Sequence, residues 1–164
     1  MTSDPIAEQN SAARANSFPW PPVLYVAAIA AAFALHWARP LPWPGLDDMA
    51  ARLLGYSFGV ASVVLVVWAI VELRRANTTV MPDGVSSALV TTGPYAYFRN
   101  PIYLGEVLLL FCAAEILKNI WFVVIALIFA VLVTVLQIFP EERHLSAKFG
   151  AAYEAYRART RRWI

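Results

Sequence analysis

The chain has 164 residues, of which 60% are hydrophobic and 15% charged, against about 45–50% apolar and about 25% charged in globular proteins. That excludes an ordinary water-soluble domain, and the 13% of aromatic residues excludes a disordered chain. A net charge of +2 from 13 basic and 11 acidic residues makes no field suited to nucleic acid. Cys112 is the single cysteine, so neither a disulfide framework nor a thiolate metal cluster is available, and its apolar surroundings point to packing.

A bilayer core about 30 Å thick needs roughly 20 mostly apolar helical residues. In chain order, Pro21-Pro22 opens an Ala-rich run from Val23 to Trp37, and Leu53 to Val71 is free of charge before Glu72, Arg74 and Arg75. Ile102 to Leu117 is interrupted by Glu106 and Glu115, and Ile120 to Phe139 stops at Pro140. Lys118-Asn119 is the only polar break between the last two runs, which predicts a tight antiparallel hairpin. The expectation is an all-α integral membrane protein of about four transmembrane helices followed by a C-terminal amphipathic helix. It forms one domain: a polar tail over 1–22, a two-helix scaffold over 23–75, and a binding loop, hairpin and C-terminal helix over 76–164.

Four spans place both termini on one side. Arg14, Arg74, Arg75, Arg99, Arg143, Lys148, Arg157, Arg159, Arg161 and Arg162 gather there, while Arg39, Arg52 and Lys118 lie opposite. The positive-inside rule makes the first side cytoplasmic, as expected of a multi-pass inner-membrane protein. Asp4 and Glu8 argue against a cleaved signal peptide, and the Asn77-Thr78-Thr79 sequon falls on the cytoplasmic side. Gly55, Gly59 and Ser62 make a small-residue strip for bundle packing or a dimer face. Trp20, Trp37, Trp43, Trp121 and Trp163 read as an interfacial belt.

The middle loop is rich in Pro, Gly and Tyr, and runs through Gly93-Pro94-Tyr95 into Arg99-Asn100-Pro101-Ile102-Tyr103-Leu104-Gly105. Pro140 ends or kinks the last span, putting Glu141 and Glu142 at the membrane boundary. Beyond them Leu145, Phe149, Ala152, Tyr153 and Tyr156 trace one face of an amphipathic helix, and Arg157 to Trp163 form a basic end suited to lipid headgroups. If the hairpin holds, the arginine, the tyrosine and both glutamates share one cytoplasmic pocket.

At these residues the chain resembles the isoprenylcysteine carboxyl methyltransferase and phospholipid methyltransferase family of integral-membrane enzymes. The family pattern Arg-His-Pro-x-Tyr-x-Gly followed by Glu-Glu appears as Arg99 to Gly105 with Glu141-Glu142, supported by Gly93-Pro94-Tyr95, Phe149-Gly150 and Arg162-Trp163. The resemblance implies methyl transfer from S-adenosylmethionine, giving S-adenosylhomocysteine, to a lipophilic acceptor in the membrane, without a metal. The acceptor is an isoprenylcysteine-like carboxylate or another lipid O, N or S nucleophile. It implies cofactor binding by Leu89, Val90, Gly93, Pro94, Tyr95, Asn100, Pro101, Tyr103, Leu104, Gly105, Glu141 and Glu142. Arg99, Tyr153, Tyr156 and Arg157 would bind substrate, and Arg99, Asn100 and Glu142 would carry catalysis. Asn100 departs from the family's histidine and cannot titrate, which points to alignment rather than proton transfer.

No G-x-G-x-x-G pattern occurs, which argues against a Rossmann-type site. A different reading makes the chain a proton-coupled transporter using Glu106 or Glu115, and another makes it a scaffold assembling through Gly55 and Gly59. Glu115 lies beside Lys118, as an ion pair would require, and Glu106 offers a contact beside Arg99. His144 reads as a surface histidine near the Glu pair, and His36 lies at the far end of the first span.

Overall fold

The computed structural model describes residues 20–77 and 88–164. Thr78 and Thr79 of the sequon, the Met81 to Gly84 stretch, and Asp4, Glu8 and Arg14 lie outside the described residues. The fold is all-helical. Helix α1 spans Trp20–Ala38, α2 Met49–Arg75, α3 Pro101–Leu117 and α4 Ile120–Val133. A π-helical segment, Thr134–Ile138, leads into α5, Phe139–Phe149, and α6 covers Ala151–Arg159.

The Pro21-Pro22 pair sits in the first turn of α1, where a missing N–H costs nothing. Asp48 caps α2 by accepting from the Ala51 N–H at 2.8 Å. Lys118, in the left-handed region at φ +48°, and Asn119, whose side chain accepts from the Trp121 N–H at 3.0 Å, make the turn between α3 and α4. The expected tight hairpin is there.

Among the described residues, three helices are long and apolar enough to cross a membrane: Pro21–Ala38, Met49–Arg75 and Ile120–Phe149. Helix α3, at 17 residues, rises about 25 Å and packs along α2 and α4. The outward faces identify the solvent. Val60, Val63, Val64, Val67 and Trp68 of α2 and Leu127, Ile128 and Val131 of α4 are exposed, an apolar wall that hydrocarbon accepts and water does not. The protein is embedded in a membrane.

The core lies between α1, α3 and α4, around Leu110, Phe122, Phe129 and Val133. Edge-to-face pairs of Tyr25 with Phe129 and Phe33 with Phe122, at 5.5 and 5.2 Å between centroids, set α1 antiparallel to α4. The Gly55, Gly59 and Ser62 strip faces α3, where Glu115, Cys112 and Gly105 occupy the space that side chains would take. It therefore serves packing inside the bundle, and Cys112 is buried there. Ser62 Oγ donates to the Gly105 carbonyl at 2.7 Å. A Cβ on Gly105 would stand 3.2 Å from the Ser62 carbonyl oxygen and drive into Val66. Gly105→Ala is therefore expected to lower stability by about 1–3 kcal/mol through overpacking, read from thermal unfolding in detergent.

Of the two outcomes expected at Pro140, an end or a kink, the first does not occur, and the expected single tail helix needs correction. Pro140 does not end the last span: the helix runs on, because the π turn, closed by the Phe139 N–H on the Thr134 carbonyl, widens the helix ahead of the proline ring. The amphipathic tail is not one helix either. Gly150 at φ +51° separates α5 from α6, and Ala152 is exposed while Tyr153 and Tyr156 are buried.

Candidate active site

The ends of α2 and α4–α5, the start of α3 and the chain after α6 converge at one end of the bundle. The loop into α3 is anchored first. Gly93 adopts φ +58°, and a Cβ there would meet Glu72 Cγ at 2.5 Å and Trp68 Nε1 at 2.9 Å, so the loop backbone lies against the last turn of α2. Thr92 Oγ1 donates to Glu72 Oε2 at 3.0 Å. Pro94 then starts a single 3-10 turn, Gly93–Ala96, in which Pro94 and Tyr95 are buried.

The C-terminal segment Thr160 to Trp163 crosses this loop as a strap. The Arg99 N–H donates to the Arg161 carbonyl at 2.8 Å and the Arg161 N–H to the Tyr97 carbonyl at 3.0 Å, an isolated parallel bridge of Phe98 with Arg161. Asn100 Nδ2 donates to the Arg162 carbonyl at 3.0 Å. Tyr156 Oη donates to the Tyr95 carbonyl at 2.9 Å, and Trp163 Nε1 to Thr134 Oγ1 at 3.2 Å. The π segment thus also serves the site, since it presents Thr134 to the strap.

Glu142 is the electrostatic centre. Its Oε1 accepts from Arg99 Nε at 3.2 Å and from Arg162 Nε at 3.0 Å, and its Oε2 from Arg162 Nη2 at 2.8 Å. The bidentate Arg162 contact is the strong form of such a pair. Arg99 also donates through Nη1 to the carbonyls of Thr160 at 2.6 Å and Arg157 at 3.2 Å. With side-chain exposures of 10% for Arg99 and 12% for Glu142, this is a mostly dry network. Arg162 lies 4.9 Å over the Phe139 ring, so it and Trp163 are tied into the protein rather than turned to lipid headgroups. Arg157, by contrast, is exposed and pairs with Glu154 at 3.7 Å.

Glu141 faces a different set. Gln137, fully buried, lies beside its carboxyl, and Tyr95 and Tyr103 lie within its electrostatic reach. Tyr153 is 1% exposed, and its Oη has no hydrogen-bond partner among the described residues, although Glu142 and Arg99 are its charged neighbours. Burial pushes its phenol up to about 12, so it is a neutral donor at physiological pH. Tyr95 and Tyr156 are raised by burial as well.

The structure thus brings Arg99, Asn100, Tyr95, Tyr103, Glu141, Glu142, Tyr153 and Tyr156 together. Pro101 and Gly105 are buried in the first turns of α3, with Leu104 half-buried between them, and Leu89 and Val90 are half-buried on the approach to the loop. Glu106 makes no ion pair with Arg99, whose carboxylate partner is Glu142. Its neighbours are Tyr25 and Tyr103. Glu115 is ion-paired with Lys118, which also reaches Asp47 at 3.4 Å. His144 is half-buried, with its Nε2 shielded. A cavity of about 460 Å³ lined by Trp43, Leu54, Phe58, Phe111 and Glu115 opens at the opposite end of the bundle and is no part of this site. Among the described residues no cluster of His, Cys, Asp and Glu could hold a metal ion.

The contributions of Gln137, Thr134 and Thr160 are not legible in local sequence. The only signal for Glu72 is its place at the end of an apolar run, and the only one for Arg162 is its proximity to Trp163.

The all-helical membrane bundle carries a Glu pair, buried tyrosines and an arginine-held strap together at one end, a candidate site in a membrane protein rather than a soluble cofactor fold. The phospholipid methyltransferase family model matches residues 50–152. The chain belongs to that family, and its chemistry is methyl transfer. The match runs from the start of α2 into α6, so Tyr153, Tyr156 and the strap lie beyond it. No curated protein and no solved structure matches the chain.

Proposed function

We propose that the protein transfers the methyl group of S-adenosylmethionine to a lipophilic acceptor that reaches the site from the bilayer. The observation that carries this reading is the buried phenol of Tyr153, which has no hydrogen-bond partner among the described residues, at the end of the bundle where Arg99, Glu142, Asn100 and the strap meet. A buried donor without a partner is unfavourable unless a ligand satisfies it. Carboxylates and aromatic faces suit a sulfonium cation, each aromatic contact contributing roughly 0.5–2 kcal/mol. The residues therefore fit the cofactor.

When bound, S-adenosylmethionine supplies an electrophilic methyl group on a positively charged sulfur. The chain's own residues do the rest. Glu141, Tyr95 and Tyr103 hold positive charge near the apolar boundary, and Tyr153 Oη offers a hydrogen bond. Pro101 to Gly105 present backbone at the site, with Leu89, Val90, Gly93 and Pro94 leading into it. Glu142 fixes Arg99 and Arg162, and Asn100 fixes the Arg162 carbonyl, so Asn100 is a positioning residue that moves no proton. In this reading Arg99, Tyr156 and Arg157 shape the acceptor side, and four spans put the arginine-rich end in the cytoplasm of an inner-membrane protein.

The test is transfer of labelled methyl from S-adenosylmethionine into a total membrane lipid extract, with the labelled product identified. Incorporation supports the reading, and none from an active-site-intact preparation contradicts it. Tyr153→Phe separates binding from folding. Removing a buried, unsatisfied hydroxyl is expected to leave thermal stability unchanged or raised, while S-adenosylhomocysteine affinity, from a titration, falls by about threefold to tenfold.

A further inference from the structure

The cavity of about 460 Å³ at the end of the bundle away from the arginine centre falls within the roughly 300–1,000 Å³ of small-molecule sites. Its walls come from Leu54 and Phe58 of α2, Phe111 of α3 and Val123 of α4, and from Trp43 and Leu46 in the irregular segment between α1 and α2. Leu46 and Leu54 are also exposed, so the cavity opens sideways onto the hydrocarbon that covers α2. One polar group on its wall is unsatisfied: Trp43 Nε1 is shielded and has no hydrogen-bond partner among the described residues. An interfacial tryptophan ordinarily gives that N–H to water or to headgroups. Here Gly45 lies against it, so close that a Cβ would stand 2.6 Å from Nε1, and Lys118 Nζ sits 5.5 Å from the ring centroid. The charges around the cavity are already matched. Asp47 pairs with Arg52 at 3.0 Å and with Lys118 at 3.4 Å, Lys118 pairs also with Glu115, and Asp48 accepts from the Ala51 N–H. Two of these acids, Asp48 and Glu115, line the cavity itself.

We propose that this cavity holds one acyl chain of a bilayer glycerolipid, whose ester carbonyl accepts the hydrogen bond of Trp43 Nε1. The site stands apart from methyl transfer: α3, at 17 residues, puts about 25 Å between the two ends, and the bound lipid is not the methyl acceptor. The chain covers the apolar walls that water would otherwise wet. An uncharged ester is the polar group the cavity selects, because Arg52 and Lys118 are already paired and the carboxylates of Asp48 and Glu115 repel a fatty-acid carboxylate. The carbonyl reaches Nε1 where Gly45 now lies, at a residue without a side chain in a segment that no helix holds. Satisfying a shielded donor then strengthens binding, and an ether oxygen, as the weaker acceptor, does so less.

The test uses the purified full chain in mild detergent, with binding of monopalmitoylglycerol, hexadecyl glyceryl ether and palmitate read by native mass spectrometry. The parent is expected to take up one molecule of the ester, about threefold to tenfold more tightly than the ether, and to bind palmitate more weakly than either. Trp43→Phe keeps the ring and removes the N–H, so it should bind ester and ether equally while its thermal stability without lipid is unchanged or raised. Ala51→Phe places a ring in the cavity, which Ala51 lines, and should lose the ester. Should that variant fail to fold, the ester-to-ether ratio in Trp43→Phe decides alone. Equal affinity for ester and ether in the parent, tighter binding of palmitate, a preference that survives Trp43→Phe, or undiminished uptake by a folded Ala51→Phe overturns the assignment. None of these results bears on the methyltransferase reading, which the labelled-methyl experiment tests separately.

Discussion

Glu142→Ala is expected to abolish methyl transfer and to lower stability by about 3 kcal/mol, because it leaves the nearly buried Arg99 guanidinium without its counter-charge. The two backbone carbonyls that Arg99 also reaches, on Arg157 and Thr160, keep the cost at the low end for a broken buried pair. Arg162→Ala removes the other guanidinium, which is 33% exposed, and is expected to cost about 1 kcal/mol. Chemical denaturation in mild detergent measures both. The double variant should lose less than the sum of the single losses, since both arginines act through one carboxylate. A Glu142→Ala protein with parental stability would show that the strap is not held by this centre.

Gly93→Ala is the second large effect. The residue sits at φ +58°, and its new methyl group would collide with Glu72 and the Trp68 indole. Left-handed backbone alone costs roughly 1–2 kcal/mol for a residue with a Cβ, and the collision forces the loop off α2. The expected result is a loop whose Thr92–Glu72 contact is broken, seen as faster amide exchange over Thr92 to Tyr97, with S-adenosylhomocysteine affinity reduced at least tenfold. Thr92→Val removes only the hydrogen bond and should have a much smaller effect.

The helices were legible because apolar run length is a direct reading of bilayer thickness, and the α3–α4 hairpin followed from the single polar break at Lys118-Asn119. The meeting of Arg99 with Glu142 followed from that hairpin. Arg162-Trp163 belongs to the family resemblance, but the strap's course across the loop was not legible. Arg161 and Arg162 read as a basic end for lipid because nothing local ties them to Tyr97, Asn100 or Glu142. Their pairing is set by the way α5 and α6 fold back across the loop. At Pro140, where the sequence allows an end or a kink, the helix goes on because a π turn precedes the proline, and Trp163 donates to Thr134 within that turn. The amphipathic period through Leu145 and Tyr156 was real in sequence, but Gly150 divides it between two helices.

The most direct measurement is the thermal unfolding temperature of the purified protein in nanodiscs against S-adenosylhomocysteine concentration. A ligand bound only by the folded state must raise it, by about 2.7 kcal/mol of added stability at a hundredfold excess over Kd. The site described here predicts a rise that grows logarithmically with ligand and is weakened by Tyr153→Phe. A flat curve at every concentration would contradict it.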